Sequence, residues 1–257
     1  MRDLCRARGK LVADRDRARR RLVALLLRHG RVWRAGSNWT QAHRSWLAAH
    51  TFDQPALQTT FDHYHADVVA REAAVSAINA QLRPWADRPP FNDHISRLIA
   101  YRGIAHIGAL TIATEVGDWR RFPTAGRFMG FVGLVPSEYS SGGCTTRGRL
   151  TKAGNEHVRT QLIESAWAYR HRPAISVELD RRQHGCTPQT LARSWSAQQR
   201  LCRRWRVLTA RHKPPTTSAA AGKTTRPARR VGTPPLQDRS PSHGTHRRPR
   251  PARARQV

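Results

Sequence analysis

The sequence predicts a mainly α-helical protein, and three observations lead there. Apolar residues recur at helical spacing over two long stretches in the first 90 residues. No strand-like alternation of any length precedes Phe131, where FVGLVP is the only short strand candidate. The composition then breaks near Thr209 into a basic, Pro-rich tail. Over residues 1–28, Leu4, Leu11, Ala18 and Leu25 share one side with Leu22 and Leu26, while charges such as Arg15, Asp16 and Arg17 take the rest; Gly30 is a stop signal. From Pro55, the series Leu57, Phe61, Tyr64, Val68, Arg71, Val75, Ile78, Leu82 steps by four and three until Pro84. That pattern predicts a coiled coil or a long antiparallel helix pair. Between the two, WTQAHRSWLAAH sets Trp39, His43 and Trp46 at helical spacing, a buried aromatic stripe on a short amphipathic helix.

Charge narrows the partner. The 257 residues carry 46 Lys and Arg against 17 acids, a net +29. An excess this large calls for a polyanion, and the predominance of Arg suits planar phosphate contacts. Residues 211–257 hold twelve Lys or Arg, one acid (Asp238) and no Phe, Trp or Tyr. Such a segment cannot bury enough apolar surface to offset its chain entropy, so residues 210–257 are expected to be disordered. The remaining +18 makes the region before it basic in its own right. Cys5, Cys144, Cys186 and Cys202 are far apart and form no CxxC pair, which argues against a zinc ribbon or a disulfide scaffold. His63 and His65, two apart on a helix, point to different faces, and no acidic pair or HExxH cluster occurs, so no metal site is expected. No apolar run approaches the roughly 20 residues needed to cross a bilayer, and no signal-type core follows Met1. The expectation is a soluble, cytoplasmic, nucleoid-associated protein with DNA as partner and no membrane.

Two stretches carry chemistry. In ISRLIAYRGIAHIGALTIATEVG, Ile95, Leu98 and Ile99 run to Tyr101, a turn follows at Arg102-Gly103-Ile104-Ala105, and a second helix runs through Ile107, Leu110, Thr111 and Thr114 to Gly117. Two short helices joined in this way resemble the helix-hairpin-helix module of DNA repair and recombination proteins. Arg102, Gly103, Ile104, Ala105, His106 and Gly108 would meet a phosphate at the opening amides of the second helix. Ordinary helix packing would give the same pattern. Downstream, Ser140 and Ser141 precede Gly142 and Gly143 on what reads as an open, flexible loop, with Arg147, Arg149 and Lys152 close behind. Asn155 is a natural N-cap for a helix whose buried stripe is Val158, Leu162, Ala166 and Tyr169, with Arg159 and Arg170 able to face outward. A hydroxyl beside clustered cations suits attack on a phosphodiester. The same residues would equally make a Ser/Gly turn on a basic surface.

The run from RGIAHIGALTIATEVGDWRRF through GLVPSEYSSGG to RGRLTKAGNEHVRTQLIESAWAYRHRP resembles the carboxy-terminal domain of the insertion-sequence one-ten family of bacterial transposases, which includes the Piv-type invertases. RDLCRARGKLVADRDRARRRLVALLLRHGRVW and WTQAHRSWLAAHTF are similar to that family's helical linker. The resemblance implies a helical linker, here 1–90 with the heptads, and a serine transposase domain, here 91–209; the Arg/Pro tail of 210–257 departs from the family, which continues there as an apolar helix. It implies a serine that becomes covalently joined to DNA, here Ser141, with Ser140 the second candidate. Arg147, Arg149, Lys152, Asn155 and Arg159 take the matching basic and N-cap positions. It also implies an element-encoded guide RNA, and an amino-terminal RNase H-like domain whose four acids hold Mg²⁺. RDLCRARG begins at residue 2, so no cofactor is expected on this chain, which by itself would be an incomplete, inactive copy. The rival expectation is a non-catalytic nucleic-acid-binding protein derived from a decayed transposase. A homo-oligomer through the coiled coil is expected in either case.

Overall fold

The computed structural model describes residues 1–212, so the tail beyond His212 lies outside the described residues. Three helices build the first half: α1 (Arg2–Arg28), α2 (Gln41–Ala48) and α3 (Pro55–Leu82). The glycine stop after α1 is realised. Gly30 is left-handed (φ +70°), with Gly30 N donating to Leu27 O (3.1 Å) and Arg31 N to Leu26 O (2.9 Å), the paired closure of a Schellman motif. Pro55 opens α3 at its first turn, where its missing N–H leaves nothing unpaired. Pro84, in a short 3₁₀ turn, follows its end.

The heptad residues pack as an antiparallel pair within the chain. Arg8 donates to Asn79 (3.0 Å), Arg19 bonds Glu72, and Arg21 reaches Asp67 (3.4 Å), so position falls along α3 as it rises along α1. Ala18, Leu22, Leu25 and Leu26 close on Phe61 and Val68, with Leu47 of α2 plugging the far end. The seam expected to join two copies is thus occupied by the chain's own α1. His43 is buried beside Trp33, Trp39 and Trp46, as the stripe predicts. Its Nδ1 accepts from Trp39 N (3.1 Å). Burial, then the charge of Arg44, lowers its pKa and holds the ring neutral.

At the near end Cys5, Ile78 and Leu82 enter a second core. Its other walls are α4 (Asn92–Ile99), α5 (His106–Val116), α6 (Ala125–Val132) and α7 (Glu156–Ala166), followed by α8 (Val177–Gln183) and α9 (Pro188–Ala210). Between α6 and α7 stands an antiparallel hairpin, β1 (Pro136–Ser141) and β2 (Cys144–Leu150). FVGLVP is therefore not a strand, apart from Pro136, which opens β1. Phe131 and Val132 close α6, and left-handed Gly133 turns the chain out of it. The strands lie one step later, in residues that sequence periodicity passes over because those described, Ser137 and Leu150 apart, are exposed. With no buried face, nothing imposes an apolar alternation.

Candidate active site on the hairpin

Ser141 is the last residue of β1, paired with Cys144 across the two-residue Gly142-Gly143 turn, so it sits on a strand end rather than in a loop. Gly142 takes φ +59°, a conformation that suits glycine in so tight a connection. Side chains alternate across the ribbon, and directly opposed residues share a face. Ser140 therefore shares a face with Glu138 and Arg147, and Ser141 shares the other with Tyr139, Thr146 and Cys144. On the first face, Ser140 Oγ donates to Glu138 Oε1 at 2.7 Å. On the second, the Ser141 hydroxyl is exposed and makes no hydrogen bond within the described residues. Arg147, Arg149 and Lys152 are exposed, and among the described residues no acid pairs with them.

Close backbone approach holds the root of the hairpin. Asn155 N donates to Phe131 O (2.8 Å), Lys152 N to Gly133 O (3.1 Å) and Thr151 N to Val135 O (2.9 Å). Gly133 and Gly154 permit it: a Cβ on Gly154 would stand 2.4 Å from Phe131 O, and one on Gly133 would stand 2.8 Å from Ala153 O. Asn155 then caps α7, as its residue type predicts, its Oδ1 accepting from Val158 N (2.9 Å).

The other half of Asn155 meets a residue the sequence reading passed over. Asn155 Nδ2 donates to Glu115 Oε2 (2.8 Å), and Arg6 of α1 grips the same carboxylate at 2.7 and 3.0 Å. The Glu115 side chain is 1 % exposed. Burial pushes its pKa up, but the bonds from Arg6 and Asn155 and the nearby charge outweigh that, and the net shift is down. Glu115 thus ties α1 to the hairpin root. Because the folded carboxyl is the more acidic, its stabilisation is fully present above the ordinary carboxylate range, about pH 4.3, and is lost as pH falls through the folded value. Glu115→Gln keeps the shape and removes the charge. It should cost on the order of 2 kcal/mol at neutral pH, discounted from a fully buried pair because Arg6 is partly exposed. It should also flatten the decline of the melting temperature on acidification below that pH. A parallel decline in both proteins would remove Glu115 from this role.

The helix-hairpin-helix candidates lie elsewhere. Gly103 is left-handed (φ +86°), and a Cβ there would meet Ser165 O at 2.3 Å; a Cβ on Gly108 would meet Gln161 Oε1 at 2.9 Å. Together with Glu115–Asn155, these contacts run α5 antiparallel to α7. The turn therefore sits at the far end of α7 from the hairpin root, about 16 Å away by helical rise. Two of its polar groups face inward: Arg102 donates to Arg172 O (2.8 Å) and Gln198 Oε1 (3.0 Å), and Ile104 O accepts from Arg182. Ala100 O accepts from both Gln183 (2.9 Å) and Ser194 (2.7 Å). Ile104 is buried, His106 is half-buried, and Ala105 is exposed. Arg159, expected to face outward, donates to Val132 O (2.9 Å) at the end of α6. The structure thus gathers Ser140, Ser141, Arg147 and Arg149 on one projection, with Lys152 and Asn155 at its root. It does not bring the turn 102–108 to them.

Among the described residues no group of three or more His, Cys, Asp or Glu could hold a metal ion. No helix among them is long and apolar enough to cross a membrane.

Comparison with known proteins places these features in a context. Residues 95–178 match the model of the transposase IS116/IS110/IS902 family. Over 222 residues the chain is 38 % identical to y4qE of Sinorhizobium fredii, a protein named as a transposase; the match covers 86 % of this chain and 53 % of that one. Over 224 residues it is 28 % identical to the transposase for insertion sequence element IS1533 of Leptospira borgpetersenii, covering 83 % of this chain and 62 % of that one. Over 114 residues it is 27 % identical to the transposase for IS1111A of Coxiella burnetii, covering 44 % and 30 %. The chain therefore spans between about half and three-fifths of the length of the first two.

Proposed function

We propose, from the premise that this chain belongs to the IS116/IS110/IS902 family of transposases through residues 95–178, that it acts on DNA in the transposition of an insertion sequence, with Ser141 as the nucleophile of strand cleavage and rejoining. The observation that carries the assignment is the exposed Ser141 at the tip of the hairpin, whose hydroxyl makes no hydrogen bond among the described residues, beside a neighbour whose hydroxyl is held by Glu138. In the first step Ser141 Oγ attacks a phosphorus, the bond to one sugar oxygen breaks, and that oxygen leaves as a hydroxyl with the proton. A serine–DNA phosphodiester results. In the second step another DNA hydroxyl attacks the same phosphorus and Ser141 leaves with the proton. One ester is exchanged for another, so no nucleotide is consumed. A two-stranded ribbon has no covering layer, so DNA that wraps the tip also meets Arg147 and Arg149 on its other face and Lys152 at its root, whose charges oppose that of the phosphorane. Mg²⁺ belongs, on this reading, to the family's acidic domain and not to residues 1–212. The family resemblance adds an element-encoded guide RNA as a second partner.

A specific observation favours the adjacent hydroxyl as a second reading: Ser140 donates to a carboxylate that could accept its proton, and Arg147 lies on the same face. Substitution separates the two. With the acidic domain, Mg²⁺, RNA and element ends supplied, Ser141→Ala should abolish the covalent protein–DNA adduct and leave DNA affinity nearly unchanged, while Ser140→Ala should keep much of it, since one oxygen is in line with the phosphorus. An adduct that survives Ser141→Ala, or is lost only with Ser140→Ala, overturns the assignment.

A further inference from the structure

Tyr139 is not part of either core. It is 75 % exposed in the middle of β1, donates no hydrogen bond within the described residues, and meets no aromatic partner among them. Gly148 on β2 leaves it room: a Cβ at that position would stand 3.5 Å from Tyr139 Cε2 and 2.4 Å from Ser137 Oγ. The ring therefore lies along the ribbon beside bare backbone. Tyr139 and Ser141 share a face two residues apart, which on an extended strand is about 6.8 Å. That is about two rises of a stacked DNA strand, at 3.4 Å each.

We infer that Tyr139 is a stacking platform for an unpaired base of the DNA strand whose phosphate Ser141 attacks, an inference that rests on the hairpin meeting DNA as proposed above. Three properties of the site select this occupant. Arg147 and Arg149 on the ribbon's other face and Lys152 at its root, exposed and with no acid partner among the described residues, favour a polyanion over an apolar protein partner. The exposed ring offers a π-face, which any nucleobase can use once it has left the duplex stack. In an intact duplex the bases stack on one another and leave no face free, so the platform discriminates unpaired from paired DNA. A ring holding the flanking base fixes the sugar-phosphate beyond it relative to Ser141 Oγ, which makes Tyr139 a positioning residue for the attack.

The test uses the full chain, a single-stranded DNA oligonucleotide carrying 2-aminopurine, the same oligonucleotide as a duplex, and a single-stranded RNA of matching sequence. Tyr139→Ala should weaken binding of the single-stranded DNA by about 5- to 150-fold and abolish the quenching of 2-aminopurine fluorescence on binding. Tyr139→Phe should retain both, and neither substitution should change duplex affinity by more than about twofold. Melting temperatures should be unchanged, because the ring is exposed. Tyr139→Ala that leaves single-stranded affinity and quenching intact, that weakens duplex and single strand alike, or that affects RNA alone overturns the inference. Ser141→Ala should leave the quenching in place, so loss of adduct chemistry does not count against stacking. A chain that binds neither form of DNA overturns the proposed function itself.

Discussion

Val68→Asp is expected to cost about 4–5 kcal/mol, enough to unfold the α1–α3 pair. Val68 is 2 % exposed and sits among Ala18, Leu22, Leu25 and Phe61. A carboxylate there loses its water among apolar side chains. Its neighbour is the control: Val69 is 54 % exposed, so Val69→Asp, one residue along the same helix, should change stability by about 0.5 kcal/mol or less. Urea unfolding of the two variants reads the difference directly. Because α1 supplies the partner face within the chain, the wild-type midpoint should not move with protein concentration. Equal effects of the two substitutions, or a midpoint that rises with concentration, would contradict the intramolecular pair.

Gly154→Ala should be nearly as damaging, by about 3 kcal/mol. Gly154 takes φ +153°, and an added Cβ meets Phe131 O at 2.4 Å and Gly133 N at 2.8 Å. Both obstacles are backbone atoms in segments fixed by the bonds from Asn155 N and Lys152 N, so neither can yield without opening the hairpin root. Gly143→Ala at the tip meets nothing within 4 Å and should be close to neutral. Amide hydrogen exchange should show Lys152 and Asn155 losing protection in Gly154→Ala and keeping it in Gly143→Ala. Unchanged protection in Gly154→Ala would mean that the close approach does not hold the hairpin.

The helices were legible because burial on one side writes a period into the sequence. Leu22 and Leu25 of α1, and Phe61, Val68, Val75, Ile78 and Leu82 of α3, all occupy the buried positions that the heptads assign. Local chemistry was legible too: Gly30 stops α1, and Asn155 caps α7. The hairpin was not, since PSEYSS and CTTRGRL bury no face, although the Gly142-Gly143 pair between two such runs is itself a hairpin signal. Glu115 stood out only as one acid at the end of an apolar run. Its partners Arg6 and Asn155 are 109 and 40 residues away, and only the folded chain joins them. Arg102 shows the same limit in reverse. It reads as a cation on a DNA-facing turn, while its guanidinium is turned inward to Gln198, 96 residues distant.

The central claim, that the hairpin tip carries the nucleophile, is tested most directly by locating the bond. The covalent adduct formed with the acidic domain, Mg²⁺, RNA and element ends should be digested with nuclease and trypsin and sequenced by mass spectrometry. Cleavage after Arg127 and Arg147 releases residues 128–147, which contain both Ser140 and Ser141. Fragment ions should place the residual nucleotide on Ser141, with Ser140 unmodified. A nucleotide on Ser140, or on any residue outside the hairpin, would contradict the account.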